Sequence, residues 1–243
     1  MKKIIAFLFI LISAYTYAQD TTKVKTKKTK RFFVGVNFAP EISYRTIHNN
    51  GGNSDNWLVK FRDSIEIPKF GFTTGINFDY IVSKHISIEA GIQYSNKGYQ
   101  TKESALVFDN PRGGGYNIPI SGKFIYTYNY LDIPLKVNFA FGKKKTQFIT
   151  SVGLTTNILL KATNTFVGKY SNGTPIGNSS NITDEYNRIN LSPTISCGIQ
   201  YNLSNKLFFK IEPTFRYGVL KMADAPITQY IWNAGLNLSL YFL

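Results

Sequence analysis

The sequence predicts an all-β protein, an eight-stranded antiparallel up-and-down transmembrane β-barrel with three short periplasmic turns and four longer extracellular loops. Three observations carry this. Eight segments alternate between an apolar and a polar face, the period-two pattern of strands with unlike surroundings on their two sides. The connections between them alternate short and long. The polar faces consist mainly of Gly, Ser, Thr, Asn and Ala, and the apolar faces carry almost no charge. Small polar groups fit a narrow lumen, and an uncharged apolar face suits lipid.

At the N-terminus, Lys2 and Lys3 precede an apolar run from Ile4 to Ile12 and the stretch Ser13-Ala14-Tyr15-Thr16-Tyr17-Ala18-Gln19. This reads as a signal peptide, residues 1–18, with cleavage after Ala18. The run is shorter than the roughly 20 residues a membrane helix needs. No cysteine follows the cleavage site, so export to the cell outer membrane without lipidation is expected. Residues 19–31 contain Lys23, Lys25, Lys27, Lys28, Lys30 and Arg31 with no apolar periodicity. They read as a basic disordered periplasmic lead-in. Export argues against nucleic acid as its partner, leaving anionic lipid heads, a protein partner at Lys23–Arg31, or plain solvation. The barrel is then expected over 32–243.

The first strand sets Phe32, Val34, Val36, Phe38, Pro40, Ile42 and Tyr44 against Gly35, Asn37, Ala39, Glu41, Ser43 and Arg45. The second sets Phe70, Phe72, Ile76, Phe78 and Tyr80 against Thr73, Gly75, Asn77 and Asp79. The third opposes Ile86, Ile88, Ile92 and Tyr94 to Glu89, Gly91, Gln93 and Ser95. In the fourth, Leu131, Ile133, Leu135, Val137 and Phe139 oppose Asp132, Pro134, Lys136 and Asn138. The fifth runs from Gln147 to about Leu160, with Ser151, Gly153, Thr155 and Asn157 inward. The sixth sets Ile189, Leu191, Pro193, Ile195, Cys197 and Ile199 against Asn190, Ser192, Thr194 and Ser196. The seventh opposes Leu207, Phe209, Ile211, Pro213 and Phe215 to Phe208, Lys210, Glu212, Thr214 and Arg216. The last opposes Trp232, Leu236, Leu238, Leu240 and Phe242 to Asn233, Gly235, Asn237, Ser239 and Tyr241.

The short connections are Ser83-Lys84-His85, Gly142 to Thr146, and Ser204-Asn205; the long ones are 46–68, about 99–122, about 161–188 and about 220–228. The third long loop is rich in Asn, Ser, Thr and Gly, holds three sequon-like triplets from Asn172 to Thr183, and reads as disordered. Pro40, Pro134, Pro193 and Pro213 lie within strand patterns and are expected at bulges or breaks in the ladder. Tyr44, Tyr94, Tyr126, Tyr128, Tyr217 and Trp232 form one expected aromatic belt, and Phe32, Tyr80, Phe139, Phe141, Tyr201 and Phe242 the other. A soluble lipocalin-like barrel would also alternate, but its wet exterior would carry abundant Lys and Glu.

The candidate site is a lumen charge network. Glu41, Asp79, Glu89, Asp132 and Glu212 face Arg45, Lys136, Lys210 and Arg216. Near balance points to paired charges filling the bore, since unpaired buried charges neutralise. Catalytic chemistry is not indicated. His48 and His85 are the only histidines and Cys197 the only cysteine, too few for a transition-metal cluster or an evident nucleophile–base pair. Gly113-Gly114-Gly115 lacks the strand–helix setting of a phosphate loop. No cofactor is expected, and the protein reads as a non-enzyme.

Tyr130-Leu131-Asp132-Ile133-Pro134-Leu135-Lys136 resembles the YLEIPLLLK strand of the PorT-like outer-membrane β-barrel family of Bacteroidota. Gly91-Ile92-Gln93-Tyr94-Ser95-Asn96-Lys97-Gly98 is similar to that family's GLxYSxKG strand end, with Asp132 where the family usually has Glu. The resemblance implies a barrel inserted by the outer-membrane assembly machinery. The expected function is a packed, charge-paired barrel with a structural or interaction role through its loops and tail. Two alternatives stand beside it. One is an accessory component of type IX-like protein secretion, implied by the resemblance; the other is an outer-rim lipid-modifying enzyme using His48, or a small-solute channel.

Overall fold

The computed structural model of the chain describes residues 31–50, 56–106, 119–142, 145–170 and 175–243. The predicted leader, the lead-in except Arg31, the Gly113-Gly114-Gly115 run and the Asn172-Gly173-Thr174 triplet lie outside the described residues. Among the described residues, the unit from Arg31 to Leu243 is mostly strand. Its strands are β1 (Phe32–Asn49), β2 (Glu66–Ile81), β3 (Ile86–Thr101), β4 (Ser104–Ala105) and β5 (Ser121–Phe141). They continue with β6 (Thr146–Lys169), β7 (Pro175–Asn181), β8 (Ile189–Ser204), β9 (Leu207–Tyr217) and β10 (Ile227–Phe242). One helix, α1 (Asn56–Ile65), precedes β2, and a 3₁₀ turn at Thr183–Glu185 precedes β8.

Eight of these strands close into an antiparallel ring in the order β1-β2-β3-β5-β6-β8-β9-β10, with β4 and β7 attached outside it to β5 and β6. The ring closes between β1 and β10, from Val34↔Phe242 to Asn49↔Ile227. Closure leaves no open ladder edge within the ring, which a strand structure in lipid requires. Among the described residues no helix is long and apolar enough to cross a membrane.

Alternation in the sequence becomes alternation of burial. On β9, Phe208, Lys210, Glu212, Thr214 and Arg216 are buried while Ile211, Pro213 and Phe215 are exposed. The exposed set is apolar and the buried set largely polar, the reverse of a water-soluble protein. Apolar side chains such as Ile92, Leu135, Ile195 and Ile199 keep more than half their surface outside. That exterior is what hydrocarbon accepts.

Several expectations are corrected. The strands run further at the loop end than hydrophobic alternation indicates. β6 ends at Lys169, and the span 46–68 holds the end of β1, helix α1 and the start of β2, while β5 begins at Ser121, close to the expected loop end at about 122. The third long loop is not disordered where it is described. β6 and β7 pair in register from Thr163↔Asn181 to Lys169↔Pro175. Beyond the apolar band both strand faces meet water, so the period-two signal fades while the ladder continues.

Of the bulges or breaks expected at the four strand prolines, the structure shows breaks and no bulges: the β1–β10, β3–β5 and β8–β9 ladders lapse at Pro40, Pro134 and Pro213. Pro40↔Phe72, Pro134↔Thr155, Leu154↔Pro193 and Leu236↔Pro213 are all in-register pairs. A strand residue aims its N–H and C=O at one neighbour only, so a missing N–H weakens one ladder and needs no inserted residue. Pairing of β1 with β10 accordingly lapses between Phe38↔Leu238 and Glu41↔Gly235 and resumes in unchanged register. The register shifts occur instead at Pro68/Phe72, Asn129/Tyr130 and Asn202/Ser204.

The belts also need revision. Phe32, Tyr80, Phe141, Tyr201 and Phe242 are exposed near the turn end, and Tyr94 towards the loop end. Tyr44 and Phe215 pack against Trp232 at ring separations of 6.2 and 6.0 Å. Tyr128 is not in a belt; it is fully buried in the lumen. Tyr126 is half-buried against Tyr99, 4.7 Å between rings.

Leu135 lies on the exposed apolar face of β5. Leu135→Arg is expected to cost roughly 2–4 kcal/mol in urea unfolding from lipid vesicles. Leu135→Met should cost under about 1.5 kcal/mol. Equal midpoints for the two variants would argue against lipid on this face.

Candidate functional site in the barrel lumen

At the turn end, where β1 begins and β10 ends, the bore is filled by rings. Phe33 of β1, Phe208 of β9 and Tyr241 of β10 form a buried cluster with Ile81 against it. Phe208 and Tyr241 stack at 4.8 Å, and Phe33 meets Phe208 edge-on at 5.0 Å. Gly35 makes room for this. A Cβ there would lie 2.6 Å from the Tyr241 ring, so the ring lies flat on the wall only because no side chain intervenes.

Lys210 rises from that cluster, its Nζ 4.7 Å from the centre of the Tyr241 ring. It donates to Asp79 at 2.7 Å and to Glu89 at 3.0 Å. Glu89 also pairs with Lys136 at 2.8 Å and accepts from Asn138 at 3.1 Å. Lys136 lies 3.8 Å from Glu212, whose carboxylate accepts from Ser151 and Ser196 at 3.1 and 3.0 Å. Arg216 pairs with Glu41 at 2.5 Å, and Thr73 and Asn233 donate to the same carboxylate at 2.9 and 2.7 Å. Each charge in this chain is at most 5% exposed.

Two expected members sit apart. Asp132 pairs with Lys97 at 2.9 Å and accepts from Asn157 at 2.6 Å. Arg45 lies among none of the central carboxylates. It turns to the loop end, 2.6 Å from both Glu66 and Asp63. Arg62 of α1 joins that group, 2.7 Å from Glu66 and 3.2 Å from the Tyr99 hydroxyl. Burial is the largest single influence and opposes the Arg62 charge, but the hydrogen bond to Glu66, the charge of Glu66 and the nearby Tyr99 and Tyr126 together hold the guanidinium above its usual range. The helix is thereby latched to the loop end of β1, β2 and β3. At the same end, Tyr99, Tyr128, Tyr130, Leu159, Ala162, Met222 and Ile231 form a second buried cluster.

Sequence reasoning missed Lys97, Glu66, Arg62 and Asp63. Lys97 could have been found by counting: Asp132 needs a cation, and Lys97 continues the inward series Glu89, Gln93, Ser95. Of the motif residues, Tyr130 is buried with Lys97 Nζ 5.3 Å from its ring, while Ile133 and Leu135 face outward. His48 lies outside the lumen, its ring edge-on to Tyr230 at 5.5 Å. His85 bonds the Ala140 carbonyl at 3.0 Å. Among the described residues no group of His, Cys, Asp and Glu is placed to hold a metal ion.

A closed ring with an apolar exterior and a filled, charged interior defines a transmembrane β-barrel. The chain matches the family model of the outer membrane protein beta-barrel domain over residues 17–221, and it belongs to that family. It is accordingly an outer-membrane protein. Similar solved structures include Neisserial surface protein A, at 10% identity and TM-score 0.42, covering 87% of this chain and 96% of that one. OprG from Pseudomonas aeruginosa is similar at 11% identity and TM-score 0.44, covering 88% and 97%. The outer membrane protease OmpT from Escherichia coli follows at 7% and 0.43, covering 91% and 99%. No curated relative matches the chain.

Removing one partner of a buried ion pair strands the other charge. Lys210→Met is expected to lower unfolding stability by about 3–5 kcal/mol. Asp63→Asn, whose side chain is 55% exposed, should cost under about 1 kcal/mol. Urea midpoints in vesicles, compared for the two variants, check the contrast.

Proposed function

We propose that this protein is a non-enzymatic outer-membrane barrel with a closed lumen, serving as a structural or interaction protein through its outer loops and the basic segment Lys23–Arg31. The observation that carries this is the ion pair between Lys210 on β9 and Glu89 on β3. These strands are diametrically opposite in the ring, so this 3.0 Å contact crosses the whole bore. Eight strands leave room for little beyond side chains. A solute passing through would have to part buried charges, at several kcal/mol per uncompensated ion. The ring cluster of Phe33, Phe208 and Tyr241 backs this barrier on one side and the tyrosine cluster on the other.

The remaining features support the same reading. Both ends of the barrel chain and the connections at 82–85, 142–145 and 205–206 share one end of the ring. That end is the natural periplasmic side, which puts α1 and the β6–β7 hairpin outside the cell.

Reconstitution into planar bilayers tests the proposal. The expected result is a flat baseline for the wild-type chain and brief openings for Lys210→Ala. Large, stable conductance from the wild-type chain would sink the closed-lumen reading.

A further inference from the structure

At the loop end the sheet rises past the ring. From Ser121↔Lys169 to Asn129↔Lys161, β5 and β6 continue as a paired hairpin, and β7 lies along the far side of β6. All seven residues of β7 are exposed. Its neighbour in the sheet is β6 alone. Among the described residues, no backbone hydrogen bond joins 175–181 to any segment other than β6. Among the described residues, the outer edge of β7 therefore presents a row of N–H and C=O groups with no backbone partner.

Exposed edges of this length are normally blunted by charge, a bulge or a covering element. Proline, a further device of this kind, stands only at the first residue, Pro175, and the other three act nowhere on β7 among the described residues. Its sequence, Pro175-Ile176-Gly177-Asn178-Ser179-Ser180-Asn181, contains no charge. Its pairing with β6 shows no register shift. The opposite margin of the patch is different: β4 is two residues long and offers almost no ladder.

We propose that β7 is a docking edge for an extended, uncharged segment of another polypeptide, which adds a strand beyond it. The reading deepens the interaction role proposed above and rests on it. Donors and acceptors alternating along an edge, about 3.4 Å per residue, match another strand's backbone and little else. Side chains set the preference. Paired residues share a face, so Ile176, opposite Gly168, lies on the same side as Phe124 and Phe166. Those two rings are 5.1 Å apart, Phe124 is 42% exposed, and Ile176 is 50% exposed. A partner residue facing Ile176 should be apolar, and those facing Asn178 and Ser180 small and polar. A charged partner finds no counter-charge on β7. The nearest cation by register, Lys169 opposite Pro175, is already 2.9 Å from Glu103. Ser121 donates to that carboxylate, and this bond together with Lys169 holds Glu103 below the usual carboxylate range.

The test uses the full chain in lipid nanodiscs and, as probe, a capped synthetic peptide of alternating Thr and Val. Amide hydrogen exchange across 175–181 is expected to slow at least about tenfold on peptide addition. Ile176→Lys should reduce that slowing at least about tenfold, while the folded-barrel gel migration of the variant stays unchanged. Ser179→Pro and Ser180→Pro form a second arm, because the two amides point to opposite edges; one of the pair should abolish binding and the other weaken it less. No slowing at 175–181 up to about 1 mM peptide, or slowing that Ile176→Lys leaves intact, overturns the docking edge. Self-association through β7 without peptide binding overturns it as well. A flat bilayer trace with no exchange effect defeats the edge alone, whereas a conducting barrel that still protects β7 defeats the closed-lumen reading alone.

Discussion

Inside hydrocarbon a backbone amide has no water to turn to, so every N–H and C=O of a spanning strand needs a partner strand. The ladder between β1 and β10 meets that demand for the last two free edges. Once eight strands have closed, the bore is too narrow for bulk water and too polar to be left unfilled. The rest of the interior follows from this. Glycine stands where a ring must lie on the wall, as at Gly35 beneath Tyr241. Carboxylates stand where a lysine or arginine can reach them, and amides and hydroxyls take up some of the other acceptors, as Asn233 does at Glu41, while Asp79 Oδ1 is buried with no hydrogen-bond partner among the described residues.

Filling such a bore with aliphatic side chains would serve stability as well, since buried ion pairs offer little net gain over packed apolar groups. The sequence nevertheless spends its inward positions on Glu41, Asp79, Glu89, Lys136, Lys210, Glu212 and Arg216. The route to the membrane gives a physical reason. A strand apolar on both faces would be an aggregation hazard in water before insertion. One polar face keeps each segment soluble in transit and becomes the lumen afterwards. The charges are thus compatible with two solvents, water first and the closed bore later.

The membrane-spanning part of the fold was legible because its two solvents differ so sharply. Phe215 faces lipid and Arg216 the lumen, and adjacent letters record it. The inward acids Asp79, Glu89 and Glu212 could be found in the same way. Past the apolar band that contrast disappears. At Lys97-Gly98-Tyr99 three successive residues are buried, so alternation no longer marks Lys97 as inward, and on β5 it does not tell the buried Tyr128 from an interfacial ring. Helix α1 buries none of its residues fully, and its short sequence carries no stripe long enough to announce it. β7 was unreadable for the opposite reason, being exposed on both faces. Arg45 fitted the inward pattern, but its partners Asp63 and Glu66 come from a segment that alternation cannot place.

The charged contacts at the centre of the bore also bear on how the chain assembles. Adjacent hairpins join residues close in sequence, whereas Lys210 reaches Asp79 and Glu89 across 131 and 121 positions, and Arg216 reaches Glu41 across 175. These contacts link the first three strands to the seventh of the ring, so they form only when the two ends of the sheet meet. Contacts so distant come late, after local hairpins have paid the loop-closure entropy. Until then the inward charges of a half-built sheet stay hydrated. Zipping the seam then dehydrates and pairs them together, which makes the final step cooperative and leaves a barrel short of one strand with neither a sealed edge nor a paired interior.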